Sequence, residues 1–179
     1  MGVNISHNTI AAYIDTFIDA FIIKKVARYD IKGRKYIGAQ QKYFYGDVGL
    51  RNARLNFRQQ EENHIMENIL YNELTARGFS VDVGVVETMI VNAEGKRQRS
   101  LLEVDFVCNQ GHARYYIQSA LTVAEESKRL QETNSLMKIN DSFVKIVVVR
   151  DNIVRWHDEA GILYIGVEDF LLNFINTME

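Results

Sequence analysis

The chain has 179 residues, of which 47% are hydrophobic and 25% charged, with a formal net charge of −2 at pH 7. This composition supports a full apolar core, excludes a fold that depends on disulfides, and does not by itself indicate a nucleic-acid-binding protein. The chain has one cysteine and no apolar run near the roughly 18 residues of a membrane span, so we expect a cytoplasmic protein.

The first elements predicted are a helix and a basic hairpin. Ser6 is suited to cap a helix, and apolar residues then recur at intervals of four, three and four, at Ile10, Ile14, Phe17 and Phe21. This spacing predicts an amphipathic helix over residues 7–22. Segments 24–38 and 41–50 are rich in aromatic and β-branched residues and broken at glycines, which predicts two or three short strands. A helix followed by a basic hairpin is typical of the end of a winged helix, so residues 1–46 are expected to be winged-helix-like.

The remaining residues, 47–179, predict a second, larger domain. Residues 47–57 read as a connector around a short helix, and residues 61–77 form the clearest helix, closed by Gly78. Segment 79–91 predicts a strand or a hairpin, turned by residues 92–95. The later elements are two strands, a helix, two strands and a helix, over residues 100–107, 113–120, 123–139, 144–150, 161–167 and 168–178. The predicted fold class is α/β, a mixed sheet flanked by helices.

Acidic and amide side chains follow two neighbouring predicted strands. Alternation puts Glu103 and Asp105 on one face with Val107, and puts Cys108 on the other. A hairpin can place Gln118 beside Asp105. Oxygen atoms that converge in this way suit a hard cation such as Mg²⁺. The alternative is a partly exposed sheet face on which Glu103 has Lys or Arg partners.

A basic cluster precedes the clearest helix. Seven Lys or Arg lie between Lys24 and Lys42, against one acid, Asp30. The candidates for contact with nucleic acid are Lys24, Lys25, Arg28, Lys32, Arg34 and Lys35. Interleaved tyrosines could stack on bases, and they are Tyr13, Tyr29, Tyr36, Tyr43 and Tyr45. The alternatives are solvated turns and ordinary packing of strand faces, and they apply equally to a second basic cluster at residues 96–99.

Several segments together resemble a known family. They are "NTIAAYIDTFIDAFII", "VARYDIKGRKYI", "KYFYGDVGLRNARLNF", "ENILYNELTARGF", "EVDFV", "YIQ" and "VEDFLL". In this order they resemble the C-terminal DUF4143 domain of prokaryotic AAA-type ATPases and the segment that precedes it. The resemblance implies a restriction-endonuclease-like fold of the PD-(D/E)XK type, carried behind a P-loop ATPase module. This chain contains no P-loop motif.

The resemblance also implies site residues. Glu67 matches the glutamate of the first core helix, and Asp105 matches the aspartate of the second core strand. Gln118 stands where active nucleases of this fold have Glu, and Ala120 stands where they have Lys. Loss of both groups removes a ligand charge and a general catalyst, so the resemblance implies a degenerate core. Asp105 and Gln118 would hold Mg²⁺ or Mn²⁺ only in an active enzyme; otherwise no cofactor is expected.

Other reactive side chains favour structural roles. The four histidines, His7, His64, His112 and His157, form no zinc-binding pattern and are expected at the surface. Cys108 is expected to be a core thiol. Glu73 falls within the apolar arc of its helix, so we expect a helix-to-sheet salt bridge with a partner such as Arg or Tyr; the alternative is a further site carboxylate.

Three functions remain open at this point. The first is an accessory domain of an AAA-type ATPase that binds DNA through the basic hairpin and has a degenerate nuclease core. The second is an active metal-dependent nuclease that uses Glu67, Asp105 and Gln118. The third is a protein-interaction module without DNA binding, which docks on the ATPase module or on a second copy of itself.

Overall fold

The structure of the protein is a computed structural model that describes residues 5–58, 61–92, 95–174 and 176, with the backbone alone at residues 39 and 40. The helices are α1 (His7–Asp19), α2 (Val48–Arg54), α3 (Glu62–Ala76), α4 (Glu126–Met137) and α5 (Val167–Asp169), which continues into a π-helical turn (Phe170–Phe174). The strands are β1 (Ile23–Asp30), β2 (Lys35–Tyr45), β3 (Ser80–Val91), β4 (Arg97–Gln110), β5 (Ala113–Ala120), β6 (Val144–Val149), β7 (Trp156–His157) and β8 (Leu163–Gly166).

The strands form one mixed sheet, which confirms the predicted α/β class. Within the described ranges the sheet has eight strands in the order β2-β1-β3-β4-β5-β6-β8-β7. Strands β3, β4 and β5 form an antiparallel meander, and β6 runs parallel to β5. Helix α3 covers one face, where Leu70 and Leu74 are fully buried, and α4 places Leu136 in the apolar cluster of the other face. Along the described chain, no helix is long and apolar enough to cross a bilayer.

Helix α1 begins as predicted and leaves its apolar side uncovered. The Ser6 hydroxyl accepts the backbone N–H of Thr9 at 3.2 Å, which caps the first turn. The helix ends at Asp19, three residues before the predicted end, and none of its residues is buried. Ile10, Tyr13 and Phe17 are exposed. Packing against the rest of the described chain therefore contributes little to this helix.

The basic hairpin is continuous with the main sheet. Strand β1 pairs with β2 on one side and, in parallel, with β3 on the other, where Arg28 lies opposite Val83. The predicted boundary after residue 46 therefore falls between β2 and α2, next to a sheet that contains strands from both sides of it.

A β-bulge in β4 changes the predicted faces of this strand. Asp82 pairs with Val107 and Gly84 with Val104, so two residues of β4 lie opposite one residue of β3. Val107 therefore lies with Val104 in the cluster on the α4 side, and Cys108 lies in the cluster on the α3 side. The prediction that Val107 shares the face of Asp105, and that Cys108 lies on the opposite face, is wrong because strict alternation does not continue through a bulge.

The other elements follow the sequence with small shifts. Helix α3 matches the predicted helix, and Gly78 after it has φ +87°, the left-handed conformation expected of a C-terminal glycine. Segment 79–91 is a single strand, and residues 93 and 94 of the turn after it lie outside the described residues. Strand β7 was not predicted. The predicted closing helix is described as α5 and the π-helical turn, and most of its end lies outside the described residues.

Candidate functional site

The candidate site lies where β4 and β5 separate. The last described pair on that side of their ladder is Phe106 with Ile117. Beyond it, side chains replace the backbone hydrogen bonds of the ladder. The backbone N–H and the hydroxyl of Ser119 donate to Asp105 Oδ2 at 2.7 and 2.9 Å, and the backbone N–H of Asp105 donates to Gln118 Oε1 at 3.4 Å. One oxygen of the Asp105 carboxylate is thereby fixed to β5.

Three predicted residues converge on one small cleft. Glu67 projects from α3, and it lines a cleft of about 110 Å³ together with Asp105 and Gln118. Glu132 of α4 reaches the same cleft from the other side. We call this space the carboxylate cleft, and its remaining walls are Asn63, Met66, Ser119, Ala120 and Leu121. The sequence-based expectation that distant oxygen-bearing side chains meet beside Ala120 agrees with this geometry.

A lysine that was not predicted as a site residue lies against the acidic group. The Nζ atom of Lys42, on β2, is 2.6 Å from Glu67 Oε2 and 2.9 Å from Glu103 Oε1. Arg28 Nη1 lies 2.6 Å from the other oxygen of Glu103. Glu103 is therefore paired with two cations, as the alternative interpretation of this strand expected, and Lys42 links Glu103 to Glu67.

The electrostatics of the cleft raise the pKa of Asp105 above that of an ordinary carboxyl. Burial of its carboxyl, which is 5% exposed, and the negative charge of Glu67 raise the pKa of Asp105 to about 7. The hydrogen bonds from Ser119 and the charge of Lys42 oppose this shift without cancelling it. A bound cation would favour the ionised form, so cation binding and proton release are expected to be linked at this carboxyl.

The pKa values of the neighbouring groups are shifted in directions that depend on their partners. Burial would raise the pKa of Glu103, but the hydrogen bonds and charges of Lys42 and Arg28 hold it below its ordinary value. Burial is the largest influence on Lys42 and would lower its pKa, but the charge and hydrogen bond of Glu67, the charge of Asp105 and the hydrogen bond of Glu103 together outweigh burial and raise this pKa. Burial and the charge of Glu67 raise the pKa of Glu132. Lys42 therefore stays charged, while Asp105 and Glu132 carry protons more readily than free carboxyl groups.

The cleft lacks a complete set of charged metal ligands. Among the described residues, no group of three or more His, Cys, Asp or Glu side chains is arranged to hold a metal ion. Oxygen atoms of Asp105 and Gln118 line the cleft with Glu67, and they are the groups that a hard cation would contact. Ala120 presents no functional group, and the ammonium that contacts Glu67 comes from Lys42 on β2 rather than from β5.

The predicted nucleic-acid-binding residues fall into two groups, those that contact other side chains of the protein and those exposed at its surface. Lys24 Nζ donates to Thr75 Oγ1 at 3.3 Å, and Arg28 is bound to Glu103. Both therefore contact the protein on the α3 side. The other four predicted residues are exposed at the surface: Lys25, Lys32, Arg34 and Lys35. Basic residues 96, 97 and 99 are exposed as well, and Arg99 pairs with Glu87 at 2.9 Å.

The remaining reactive and aromatic side chains singled out in the sequence lie away from the carboxylate cleft lining. Arg77 Nη2 lies 2.7 Å from Glu73 Oε1, so Glu73 pairs with an Arg, but this Arg lies four residues further along at the end of the same helix and not on the sheet as predicted. Cys108 is fully buried, and burial raises the pKa of its thiol. All four histidines are exposed. Tyr29 and Tyr36 form an edge-to-face pair with ring centres 5.5 Å apart, and Tyr13, Tyr36 and Tyr43 are exposed.

Sequence reasoning missed Lys42, Ser119 and Glu132. Lys42 was counted as one more cation of a basic hairpin, although its register places it opposite Val26, which belongs to the buried cluster on the α3 side. A lysine on the same strand face as Phe44 was the available signal. Glu132 carries no local signal, because its position depends on how α4 packs across the sheet.

Comparisons with known proteins give no assigned activity. The profile of a family described as a domain of unknown function (DUF8612) matches residues 1–61. An uncharacterized protein of Haemophilus influenzae (strain ATCC 51907 / DSM 11121 / KW20 / Rd) is 31% identical over 170 residues, which cover 93% of this chain and 38% of that protein. The chain thus spans less than two fifths of this relative's length. No solved structure matches the chain.

Proposed function

We propose that this chain is a nucleic-acid-binding accessory domain of an AAA-type ATPase, built on a PD-(D/E)XK core that is degenerate as a nuclease. The observation that carries the proposal is the meeting of Glu67, from the helix before the meander, with Asp105, from its second strand, in one cleft. These are the elements on which that nuclease fold carries its acidic residues. Gln118 in place of Glu and Ala120 in place of Lys support a loss of activity.

The order of the elements supports the same core. Helix α3, the antiparallel strands β3, β4 and β5, helix α4 and the parallel strand β6 follow one another, and the strands lie side by side in this order. The PD-(D/E)XK core has this order of elements and this mixture of strand directions. The order of elements supports only the likeness to the PD-(D/E)XK core, and the proposed function is inferred from the side chains at the candidate site.

The exposed part of the basic hairpin is the proposed nucleic-acid contact. Lys25 and Lys35 are exposed on the two strands at the edge of the sheet, where a phosphate backbone has access to them. Backbone contacts of this kind are electrostatic and do not depend on sequence. Lys24 and Arg28 contribute less, because each of them already contacts a side chain of the protein.

The test is binding of labelled single- and double-stranded DNA, measured by fluorescence anisotropy at low salt. We expect the Lys25→Glu/Lys35→Glu variant to bind at least about tenfold more weakly, because each replaced lysine removes a phosphate contact and adds a repulsive charge. The matched control, Arg54→Glu/Lys138→Glu, changes the net charge equally at exposed positions elsewhere. An equal loss of DNA affinity in both variants would mean that only the net charge of the protein matters, which would contradict the proposed contact.

A second candidate function is metal-dependent hydrolysis of a phosphodiester. The observation that favours it is Lys42, whose ammonium lies against Glu67 and so stands in for the lysine absent from β5. A divalent cation on Asp105 and Gln118 would position water and neutralise charge on the phosphate. A cleavage assay with Mg²⁺ or Mn²⁺ decides between the two candidates. Activity lost in Asp105→Ala and in Lys42→Met supports the enzyme; intact DNA with the wild type supports the degenerate core.

A third candidate, docking on an ATPase module or on a second copy of the chain, is favoured by α1. Tyr13 and Phe17 expose a large part of their rings on a helix that buries none of its residues. Light scattering after size-exclusion chromatography, with and without DNA, separates this role from the first. A monomer that binds DNA supports the accessory domain alone, whereas a dimer lost in Tyr13→Ser/Phe17→Ser supports docking through α1.

A further inference from the structure

A larger cleft lies at the opposite end of the β4–β5 hairpin from the carboxylate cleft. Its volume is about 510 Å³, and three loops form its walls: residues 29–34, residues 109–114 and residues 139–143. We call it the turn cleft. Between Asp105 and this cleft, β4 advances by four residues to Asn109, which is about 13 Å of extended chain. The two clefts are therefore separate sites.

Cations dominate the walls of the turn cleft. Lys32, Arg34 and Arg114 line it together with His112, against one acidic side chain, Asp141. The Asp141 carboxylate is already engaged: it accepts the hydroxyl of Tyr116 at 2.6 Å and the backbone N–H of Phe143 at 3.2 Å. These neutral donors leave the charge of Asp141 in place, but three cations against one carboxylate give the walls a net positive charge, so an anionic ligand fits the cleft better than a neutral or cationic one.

Arg114 is held in place before any ligand binds. Its Nε donates to Asn109 Oδ1 at 2.7 Å, and its guanidinium carbon lies 5.5 Å from the centre of the Tyr29 ring and 5.3 Å from that of Phe143. A guanidinium placed between two rings loses little side-chain entropy on binding. The ring of Phe143 is 40% exposed, so it also offers an apolar surface to a ligand.

The turn that carries Arg34 is held in an uncommon conformation. Arg34 has φ +51°, a left-handed conformation that is unfavourable for a non-glycine residue. The Asp30 carboxylate stabilises this turn by accepting the backbone N–H of Gly33 at 2.9 Å. Lys32 donates one N–H of its ammonium to the carbonyl of Glu87 at 3.0 Å, which leaves further donors. The turn therefore presents two cations on an ordered backbone.

We propose that the turn cleft binds a phosphate ester of about mononucleotide size. The phosphate contacts Arg34, Lys32 and Arg114, and the rest of the ligand lies against the exposed ring of Phe143. The volume is within the range of small-ligand sites, and a planar guanidinium suits two phosphate oxygens. The ligand has two sources, a free nucleotide or the phosphorylated end of a nucleic-acid strand. This inference does not depend on the nucleic-acid contact proposed for Lys25 and Lys35.

The experiment is an amide NMR titration of the whole chain with a nucleoside, a nucleoside 5′-monophosphate and inorganic phosphate. We expect the monophosphate to shift the amides of Gly33, Gly111 and Asn140, inorganic phosphate to shift the same amides more weakly, and the nucleoside to leave them unchanged. Arg34→Gln, on an exposed turn, should weaken monophosphate binding at least tenfold, and Arg54→Gln is the control for loss of one exposed cation. Unchanged amides at millimolar monophosphate would overturn the proposal.

Two further experiments distinguish a free nucleotide from a phosphorylated strand end, and distinguish this inference from the DNA contact proposed for Lys25 and Lys35. An oligonucleotide with a 5′-phosphate that shifts these amides more strongly than its 5′-hydroxyl counterpart identifies a strand end, whereas equal, weak effects identify the free nucleotide. Monophosphate binding that persists in Lys25→Glu/Lys35→Glu supports the turn cleft even if DNA binding fails. DNA binding without amide shifts in the turn cleft contradicts only this inference.

Discussion

Lys42 Nζ and Glu67 Oε2 lie 2.6 Å apart, which joins the edge strand β2 to the helix over the sheet. Their side chains are 21% and 14% exposed, so water screens this pair only in part. The same ammonium also contacts Glu103. Lys42 therefore balances the charge of the acidic groups around the carboxylate cleft. Its removal should lower the stability of the protein and change the ionisation of these groups.

Replacement of this lysine is the first prediction. Lys42→Met keeps most of the aliphatic volume and leaves Glu67 without its cation, so the free energy of unfolding at pH 7 should fall by about 2–3 kcal/mol. Urea unfolding followed by circular dichroism measures the change. The double variant Lys42→Met/Glu67→Gln should recover part of the loss, because it removes the unpaired charge. Equal stability of Lys42→Met and wild type would show that the ion pair contributes nothing.

The second prediction concerns the pH dependence of stability at Asp105. The pKa of this carboxyl is raised to about 7 in the folded protein, above its value of about 3.9 in an unfolded chain. Its favourable contribution is complete below about pH 4, falls as the pH rises and is lost above about pH 7. Asp105→Asn cannot ionise and still accepts hydrogen bonds, so the stability of the variant relative to wild type should increase between pH 4.5 and pH 8 by at least about 1 kcal/mol.

Urea unfolding of both proteins across this pH range measures the difference. Asp169 has its pKa lowered to about 2 by hydrogen bonds from Arg155 and Asn173, so it keeps its charge through the range and makes Asp169→Asn a suitable control. The stability of that variant relative to wild type should not change across the range. A pH-independent difference between Asp105→Asn and wild type would mean that Asp105 ionises as an ordinary carboxyl.

The third prediction tests the bulge beside Gly84. A Cβ atom added here would lie 2.8 Å from Val107 Cγ2 and 2.9 Å from both Ile31 Cδ1 and Val104 Cβ. Gly84→Ala should therefore destabilise the protein by about 2 kcal/mol in thermal or urea unfolding. Gly38→Ala is the control on another strand, where the added Cβ meets no described atom within 4 Å. Similar effects of the two substitutions would argue against close packing at the bulge.

The fourth prediction concerns the uncovered helix α1. Tyr13 is 59% exposed, so Tyr13→Ser should change the free energy of unfolding by no more than about 0.5 kcal/mol. Leu74 of α3 is fully buried, and Leu74→Ala should cost about 3 kcal/mol. Urea unfolding of each variant, compared with wild type, measures both changes. A large loss in Tyr13→Ser would show that the helix packs against the protein in solution.

Local patterns predicted most helices and strands because they depend on residues close in sequence. The 3.6-residue period of α3 and its terminal glycine are examples, as is the β-branched run of β6. The faces of β4 could not be predicted, because the bulge depends on pairing with β3 around Gly84. Asp105 was identified from strand alternation, but Glu67 is distant in sequence and was identified only through the resemblance, and Lys42 required the register of β1 and β2.

The most direct test of the proposed function is the affinity for DNA as a function of salt, from about 20 mM to about 200 mM. We expect the logarithm of the association constant to fall linearly with the logarithm of the salt concentration, and the slope to be shallower in Lys25→Glu/Lys35→Glu by roughly two phosphate contacts. Absence of binding at the lowest salt, or an unchanged slope in the variant, would contradict the proposed role of this domain.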